Sequence, residues 1–338
     1  MEPEFRRCYS HTFQFSKEQL VKIIFVDCAF ILELFCRYPF EEDDMCFSKP
    51  WLVKSRWYDL LLLENHVPFY FLERLFYLSF SSRGGDFPSF LVLTFRFFQQ
   101  FNRSKLKFNN INRIRHFTDL VTTFHLPDPL PPRTHGETTK HLPSATELSE
   151  ARLRFKGLEN EPCLLNIDFS GRFLESESCL LKTVFSGGVL EIPQLQVDDG
   201  TETLFRNMVA LEQCLYPSET YITDYVDFLD FLVNTNRDVD ILVQAKVFVN
   251  WLWDTDSVAT MINGLMKDIT SYNISADYFS VVKKLNAFHE NPWRQLKSNL
   301  RREYCRGPWQ TAASTAAIIL LILTVVQTVF SILQVIHQ

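Results

Sequence analysis

Residues 60–76 read LLLLENHVPFYFLERLF, and this stretch predicts two helices that meet at a corner. Pro68 fits the first turn of the second helix, where its missing N–H group needs no partner. Asn65 and His66 can bond the carbonyl groups left over at the end of the first helix. The whole chain has 32 Phe and only 10 Gly, a balance that favours helices packed through large side chains.

The composition limits the class of protein. Of the 338 residues 46% are hydrophobic, and 34 basic against 40 acidic side chains give a formal charge of −6. This length suits one large domain or two medium ones. A nucleic-acid-binding protein needs a basic face, so we expect no nucleic-acid partner.

Motifs for metal, cofactor or catalytic sites are absent from the sequence. The eight cysteines include no CxxC pair and no zinc-like spacing, which predicts buried thiols. His135 and His141 have no carboxylate or cysteine at ligand spacing, so they are weak metal candidates. No Walker loop, GxGxxG, HExxH, GxSxG or kinase signature occurs. We therefore assign no catalytic, cofactor-binding or metal-ligating residue and expect no cofactor.

The hydrophobic pattern predicts a mainly helical fold with a small central β-sheet, an α+β arrangement. Residues 1–126 are predicted to form a helical N-terminal half, and 127–143 a Pro-rich linker or loop. Residues 144–306 are predicted to form a second half that contains strands as well as helices.

Capping signals and periodicity place the elements within these parts. Ser16 and Gln19 form a capping box for a helix that runs to Tyr38 and is apolar on more than one face, as suits a central helix. Further helices are predicted at 57–64, 68–79, 88–101, 111–125, 144–152, 221–233, 239–253, 258–269 and 278–288, and short strands at 153–156, 163–169, 180–185 and 189–192.

The C-terminal segment predicts a membrane span. Residues 307–336 carry no acidic or basic side chain, and the 22 residues 313–334 would extend about 33 Å as a helix. We therefore predict one transmembrane helix at 309–336, with the lipid bilayer as a partner. Five arginine or lysine residues precede the span between 294 and 306 and none follows it. This asymmetry predicts a tail-anchored, single-pass protein whose body is cytosolic.

Two groups of residues could carry chemistry. Asp224, Asp227 and Asp230 recur at i, i+3 and i+6, and such a helix face can bind a hard cation if another helix supplies oxygens. The simpler interpretation is that the three aspartates face water. Glu64 and His66 could do acid–base work, but they also suit a structural corner between two helices.

Several motifs together resemble one plant family. They read LLENHVPF at 62–69, HFTDL at 116–120, ATEL at 145–148, LEIP at 190–193, RNMVALEQC at 206–214 and ITDYV at 222–226. In this combination the chain resembles the plant "domain of unknown function 247" family, also called uncharacterised protein family 0481. The resemblance runs from about residue 20 to the end of the sequence, and it implies that a further N-terminal segment of the family is missing here.

The resemblance implies a plant protein associated with a membrane, at the plasma membrane, whose biochemistry is largely unknown. Some grass relatives are implicated in pollen–stigma self-incompatibility, and no catalytic residues carry over from the family. We therefore expect a non-enzymatic recognition or signalling protein that binds an unidentified protein partner. The alternative is a membrane-tethered enzyme that uses Glu64 and His66 or the face formed by Asp224, Asp227 and Asp230.

Overall fold

Helices dominate the fold. The computed structural model describes residues 2–9, 14–38, 49–65, 67–80, 88–111, 114–134, 136, 142–171, 188–269, 274–290, 316–317 and 319–328. The N-terminal half contains α1 (Glu2–Arg7), α2 (Lys17–Arg37), α3 (Pro50–Asp59), α4 (Phe69–Phe80), α5 (Phe90–Phe97) and α6 (Phe117–His125). The C-terminal half contains α7 (Ala145–Glu150), α8 (Thr201–Leu215), α9 (Tyr221–Leu232), α10 (Asn236–Gln244), α11 (Thr255–Leu265) and α12 (Ala276–His289).

The described strands form two small sheets in the C-terminal half. The strands are β1 (Leu153–Leu158), β2 (Asp168–Gly171), β3 (Gly188–Pro193), β4 (Leu195–Val197) and β5 (Phe248–Asn250). Strand β3 lies between the other two strands of its sheet, parallel to β1 and antiparallel to β2, and β4 pairs in parallel with β5. The mainly helical body agrees with the predicted α+β pattern, but the described strands form two small sheets where one was predicted.

Helix α2 begins at the predicted capping box and buries one face. The Ser16 hydroxyl oxygen accepts the Gln19 N–H at 3.2 Å, and the Gln19 side chain accepts the Ser16 N–H at 3.1 Å. On the buried face, the Phe35 ring centre lies 4.5 Å from that of Phe97 and 5.3 Å from that of Phe117. The opposite face is exposed, so α2 is not covered on both sides as its apolar pattern predicted.

Several predicted elements have different bounds in the structure. The helix predicted at 57–64 overlaps only the end of α3, because Pro50 in the first turn begins that helix earlier. The helix predicted at 239–253 ends at Gln244, because the β-prone residues of β5 pair with β4 instead. The helix predicted at 111–125 begins only at Phe117, because the Arg115 carbonyl group accepts the Phe69 N–H at 2.9 Å. Of the strand predicted at 163–169, only the end forms β2. The strand predicted at 180–185 lies outside the described residues.

One hydrophobic core joins both halves of the chain. It contains buried side chains of α2, α4, α5 and α6 from the first half and of α8, α9, α11 and α12 from the second. The predicted divisions at 126 and 144 therefore fall between two segments that share a core, and their status as domain boundaries stays a prediction.

The described residues contain no helix that is both long and apolar enough to cross a membrane. Of the predicted span at 309–336, the structure describes 316–317 and 319–328, which are helical, and the remainder lies outside the described residues. The longer described piece extends about 15 Å, roughly half of a hydrocarbon core. This finding contradicts the predicted transmembrane helix and, with it, the predicted single-pass membrane location with a cytosolic body.

Replacing Phe35 by Ala should destabilise the protein by about 4 kcal/mol, because the ring is fully buried and its removal leaves a cavity among other rings. Urea unfolding followed by far-UV circular dichroism measures this loss. Tyr77→Ala on α4 is the matched control, since its side chain is 70% exposed and should cost less than about 0.5 kcal/mol. Equal losses for the two variants would contradict the aromatic core.

Candidate functional site

A cavity of about 360 Å³ lies where α6 and the segment after it meet the end of α8 and the start of α9. Its floor is formed by buried residues, namely Leu106, Ile114, Asp119, Thr122, Glu212 and Tyr221. Its mouth is formed by exposed residues, namely Asn110, Asp128, Pro129, Leu130 and Glu219. A cavity with a buried floor and an open mouth is the usual form of a binding site.

Asp119 in the first turn of α6 forms one side of the floor. Its carboxylate accepts the Arg115 N–H and the Tyr216 hydroxyl hydrogen, each at 2.9 Å. Burial, and then the Asp119 charge, raise the pKa of Tyr216 to about 12, so the phenol keeps its proton. The Arg115 guanidinium carbon lies 5.2 Å from the centre of the Tyr216 ring, a cation–π distance.

Glu212 near the end of α8 forms the opposite side of the floor. It is 1% exposed, and its carboxylate accepts the N–H groups of Ile222 and Thr223 at 2.8 Å each and the Thr223 hydroxyl hydrogen at 2.7 Å. These bonds satisfy donors at the start of α9, where a helix leaves N–H groups without partners. Burial raises the pKa of Glu212 to about 7, against these hydrogen bonds, and the Asp224 charge adds to the rise.

The hydroxyl groups among the described lining residues have already donated their hydrogens to protein acceptors. Thr122 and Thr123 donate to carbonyl groups one turn earlier in α6, each at 2.8 Å. Tyr221 donates to the Pro131 carbonyl at 2.5 Å, and Tyr216 donates to a carboxylate as described. Because each hydroxyl hydrogen is already used in these bonds, the hydroxyl groups can only accept a hydrogen bond from a ligand.

This region lies inside a match to a known protein family. The family DUF247, described as a plant protein of unknown function, matches residues 1–323. The chain belongs to this family. The resemblance that the motifs predicted is therefore confirmed.

Two curated relatives come from Arabidopsis thaliana. The UPF0481 protein At3g47200 is 26% identical over 363 aligned residues, which cover 98% of this chain and 72% of the relative. The putative UPF0481 protein At3g02645 is 26% identical over 189 residues, which cover 55% of this chain and 32% of the relative. No solved structure matches the chain at a significant level.

Leu61 and Leu63, which flank the start of the family-like motif at 62–69, have a structural role in this DUF247 protein. The Thr118 hydroxyl donates to the Leu61 carbonyl at 2.7 Å, and the Leu63 N–H donates to the Asn207 side chain at 2.9 Å. The two leucines thus join two other motifs, HFTDL at 116–120 and RNMVALEQC at 206–214. Glu64 is exposed and does not line the cavity.

His66, which the sequence predicted as the acid–base partner of Glu64, lies outside the described residues. His135 and His141 also lie outside them. Within the part of the chain that the structure describes, no group of three or more histidine, cysteine or acidic side chains is arranged to hold a metal ion. The geometry of the predicted acid–base pair, Glu64 and His66, is therefore not described.

Asp224 does not face water. Its carboxylate pairs with the Arg133 guanidinium through contacts of 2.9 and 3.1 Å, and it accepts the Ser275 N–H at 3.0 Å. The side chains of the pair are 4% and 2% exposed. Burial raises the pKa of Asp224, while the pairing with Arg133 and the bond from Ser275 oppose the rise. The ion pair fixes part of the Pro-rich segment 127–143 to α9.

The other two aspartates of the predicted face lie beside this ion pair on α9. Asp227 and Asp230 are half-buried, and burial raises the pKa of both. For Asp227 the pKa reaches about 6, because the charges of Asp230 and Asp224 add to the effect of burial. The three carboxylates therefore differ in environment. None of them lines the cavity, although the charge of Asp224 acts on Glu212 in its floor.

Sequence reasoning did not assign a role to Asp119, Glu212 or Tyr216, although the first two lie in motifs that carried the resemblance. Their partners lie far away in the chain: Tyr216 is 97 residues from Asp119. No local pattern marked Glu212, because its hydrogen bonds to Ile222 and Thr223 cross the loop between two helices and span 10 and 11 residues.

Replacing Arg133 by Ala should cost about 3 kcal/mol of stability, because Asp224 would keep a buried charge without its cationic partner. Urea unfolding at pH 7 measures the loss. Adding Asp224→Asn to Arg133→Ala should recover part of it, since the double variant no longer buries a charge. Arg206→Ala is the control: its pair with Glu202 is 41% and 48% exposed, so the cost should stay below about 1 kcal/mol.

Glu212 should make stability depend on pH. The unfolded carboxyl group titrates near pH 4.3, whereas burial raises the folded pKa to about 7, so the folded state holds this proton more tightly. This contribution is complete below about pH 4 and is lost as the pH rises through 7, by at most about 1.4 kcal/mol per unit. Urea unfolding at pH 5 and pH 8 should show a smaller loss for Glu212→Gln than for the unmodified chain. If the free energy of unfolding fell equally for both proteins between pH 5 and pH 8, Glu212 would not be the group that titrates.

Proposed function

We propose that this DUF247 protein is a non-enzymatic recognition protein that binds a basic segment of another protein. A lysine or arginine side chain of the partner enters the cavity between α6, α8 and α9. The observation that carries the proposal is the cavity's hydrogen-bonding character, because its described hydroxyl groups and carboxylates offer acceptors to a ligand.

The charge of the cavity supports a cationic ligand. Among the described lining residues, Asp119, Asp128, Glu212 and Glu219 carry carboxyl groups, and none is a lysine or arginine. Two nearby cations are already engaged: Arg115 lies over the Tyr216 ring, and Arg133, whose charge acts on Tyr221, is paired with Asp224. Charge-assisted hydrogen bonds between a carboxylate and a cation are about twice as strong as neutral ones.

The shape and the apolar wall suit a long basic side chain. Between floor and mouth the wall includes Ile111, Leu126 and Pro127, and Leu106 and Ile114 lie below them. Lysine and arginine bury their methylene stems against such surfaces while the charged end reaches polar groups. A cavity of about 360 Å³ has room for one side chain of this size.

The hydrogen bonds of the buried carboxylates agree better with a binding role than with a catalytic one. Glu212 accepts three hydrogen bonds, and Asp224 is held by Arg133 and Ser275. A general base would have to exchange such bonds for a substrate proton. A recognition role also agrees with what the family resemblance implies, since some grass relatives are implicated in pollen–stigma self-incompatibility.

The test uses pools of pentapeptides that share a fixed central residue, which is arginine, lysine, citrulline or glutamate. Isothermal titration calorimetry with the full chain should show binding of the arginine and lysine pools and at least tenfold weaker binding of the citrulline pool, which has the shape of arginine without its charge. Binding should strengthen between pH 6 and pH 8, as Glu212 ionises with its pKa of about 7.

Asp119→Asn should weaken binding of the arginine pool about tenfold, because it removes a charge from the cavity floor. Asp240→Asn is the matched control: this carboxylate is exposed on α10 and does not line the cavity. Equal binding of the arginine and citrulline pools, or equal weakening by the two variants, would rule out cation recognition in this cavity.

A further inference from the structure

Helix α2 carries an exposed apolar face in addition to its buried one. We call it the outer face of α2, and its residues are Glu18, Lys22, Phe25, Val26, Ala29, Phe30, Glu33 and Arg37. All of them are exposed, and their spacing of three and four residues places them on one side of the helix. Phe25 is 62% exposed, Val26 57% and Phe30 59%.

Nothing in the described fold covers this surface. The opposite face of α2 already provides the contacts with α1, α4 and α5, through buried residues such as Leu20, Ile31 and Phe35. Neighbouring exposed apolar side chains on one helix face, bordered by charged residues, mark an interaction surface. The remaining question is which partner fits it.

The charges on the outer face are arranged to match a second copy of the same face. Glu18 and Lys22 lie before the apolar centre. Glu33 and Arg37, which pair with each other at 2.7 Å along the helix, lie after it. When two copies of α2 run antiparallel about a two-fold axis between residues 27 and 28, Lys22 of each copy lies opposite Glu33 of the other. In the same register Glu18 lies opposite Arg37.

The apolar residues match in the same register. Phe25 lies opposite Phe30 of the second copy, and Val26 lies opposite Ala29, so large and small side chains alternate across the axis. A parallel arrangement would instead place Lys22 against Lys22 and Glu33 against Glu33, which is repulsive. The helix has 21 residues and a length of about 31 Å, enough for all these pairs.

We propose that two copies of this chain form a symmetric dimer by antiparallel packing of their α2 outer faces. The occupant is a second copy because the charge register is complementary to itself, as a two-fold interface requires. The apolar centre supplies the attraction, and the charged pairs at both ends fix the antiparallel register. This inference is independent of the proposed cavity ligand.

Sedimentation equilibrium of the full chain at low salt tests the dimer. The unmodified chain should show a concentration-dependent monomer–dimer equilibrium. Lys22→Glu and Glu33→Lys should each weaken it about tenfold, because two symmetry-related pairs become repulsive. Phe25→Asp should abolish dimer formation at the same concentrations, since it places a charge at the apolar centre.

Mixing provides the decisive measurement. In an equimolar mixture of the Lys22→Glu and Glu33→Lys variants, both pairs across the axis are again opposite in charge, so dimer formation should return to the strength of the unmodified chain. Lys283→Glu is the matched control: it makes the same charge change at an exposed position on α12 and should have no effect. A chain that stays monomeric, association equally strong in every variant, or a mixture no stronger than its components would each overturn the proposal.

Discussion

Four buried carboxylates, among the residues that the structure describes, constrain how the chain can fold, because each must be paired once it leaves water. Asp119, Glu212 and Asp224 bind groups from the loop before α6, the start of α9 and the Pro-rich segment. Asp238 accepts the Thr146 N–H at 2.7 Å and so joins the start of α10 to the start of α7. These bonds connect segments that are distant in the chain, and the hydrophobic core fills the space between them. Shifting one of the joined segments would leave a carboxylate in the core without its partner.

Local signals in the sequence predicted the helices well where a cap and a periodic pattern agree. The predicted capping box at Ser16 begins α2, and the helices predicted at 144–152 and 221–233 correspond to α7 and α9. Predictions failed where a distant partner decides the structure: β5 forms because β4 is available to pair with it, and Asp224 is buried because Arg133 reaches it. The i, i+3, i+6 spacing identified a shared helix face correctly, but it contains no information about what covers that face.

The cavity depends on the same long-range bonds. Its floor combines Asp119 from α6 with Glu212 from α8. Asp119 is oriented by the Arg115 N–H and the Tyr216 hydroxyl, and Glu212 by donors at the start of α9. Because several of these donors are backbone N–H groups, the floor is preorganised before a ligand arrives, which lowers the entropic cost of binding. Sequence patterns could identify the motifs, but they could not show that the motifs meet in one cavity, since the hydrogen bond from Tyr216 to Asp119 spans 97 residues.

Helix α2 shows why apolar periodicity alone does not define a core. Its two apolar faces predicted a central position, yet the structure buries Phe35 and exposes Phe25 and Phe30. An exposed face that is complementary to itself gives the second apolar stripe a function outside the monomer. A two-fold pair would also present two identical cavities in a fixed arrangement, so a partner with two basic segments at the matching separation would gain affinity through effective concentration, without any new contact. Cavity recognition and pairing through α2 would then reinforce each other, although they use opposite kinds of interaction: charge in the cavity and apolar packing on the helix.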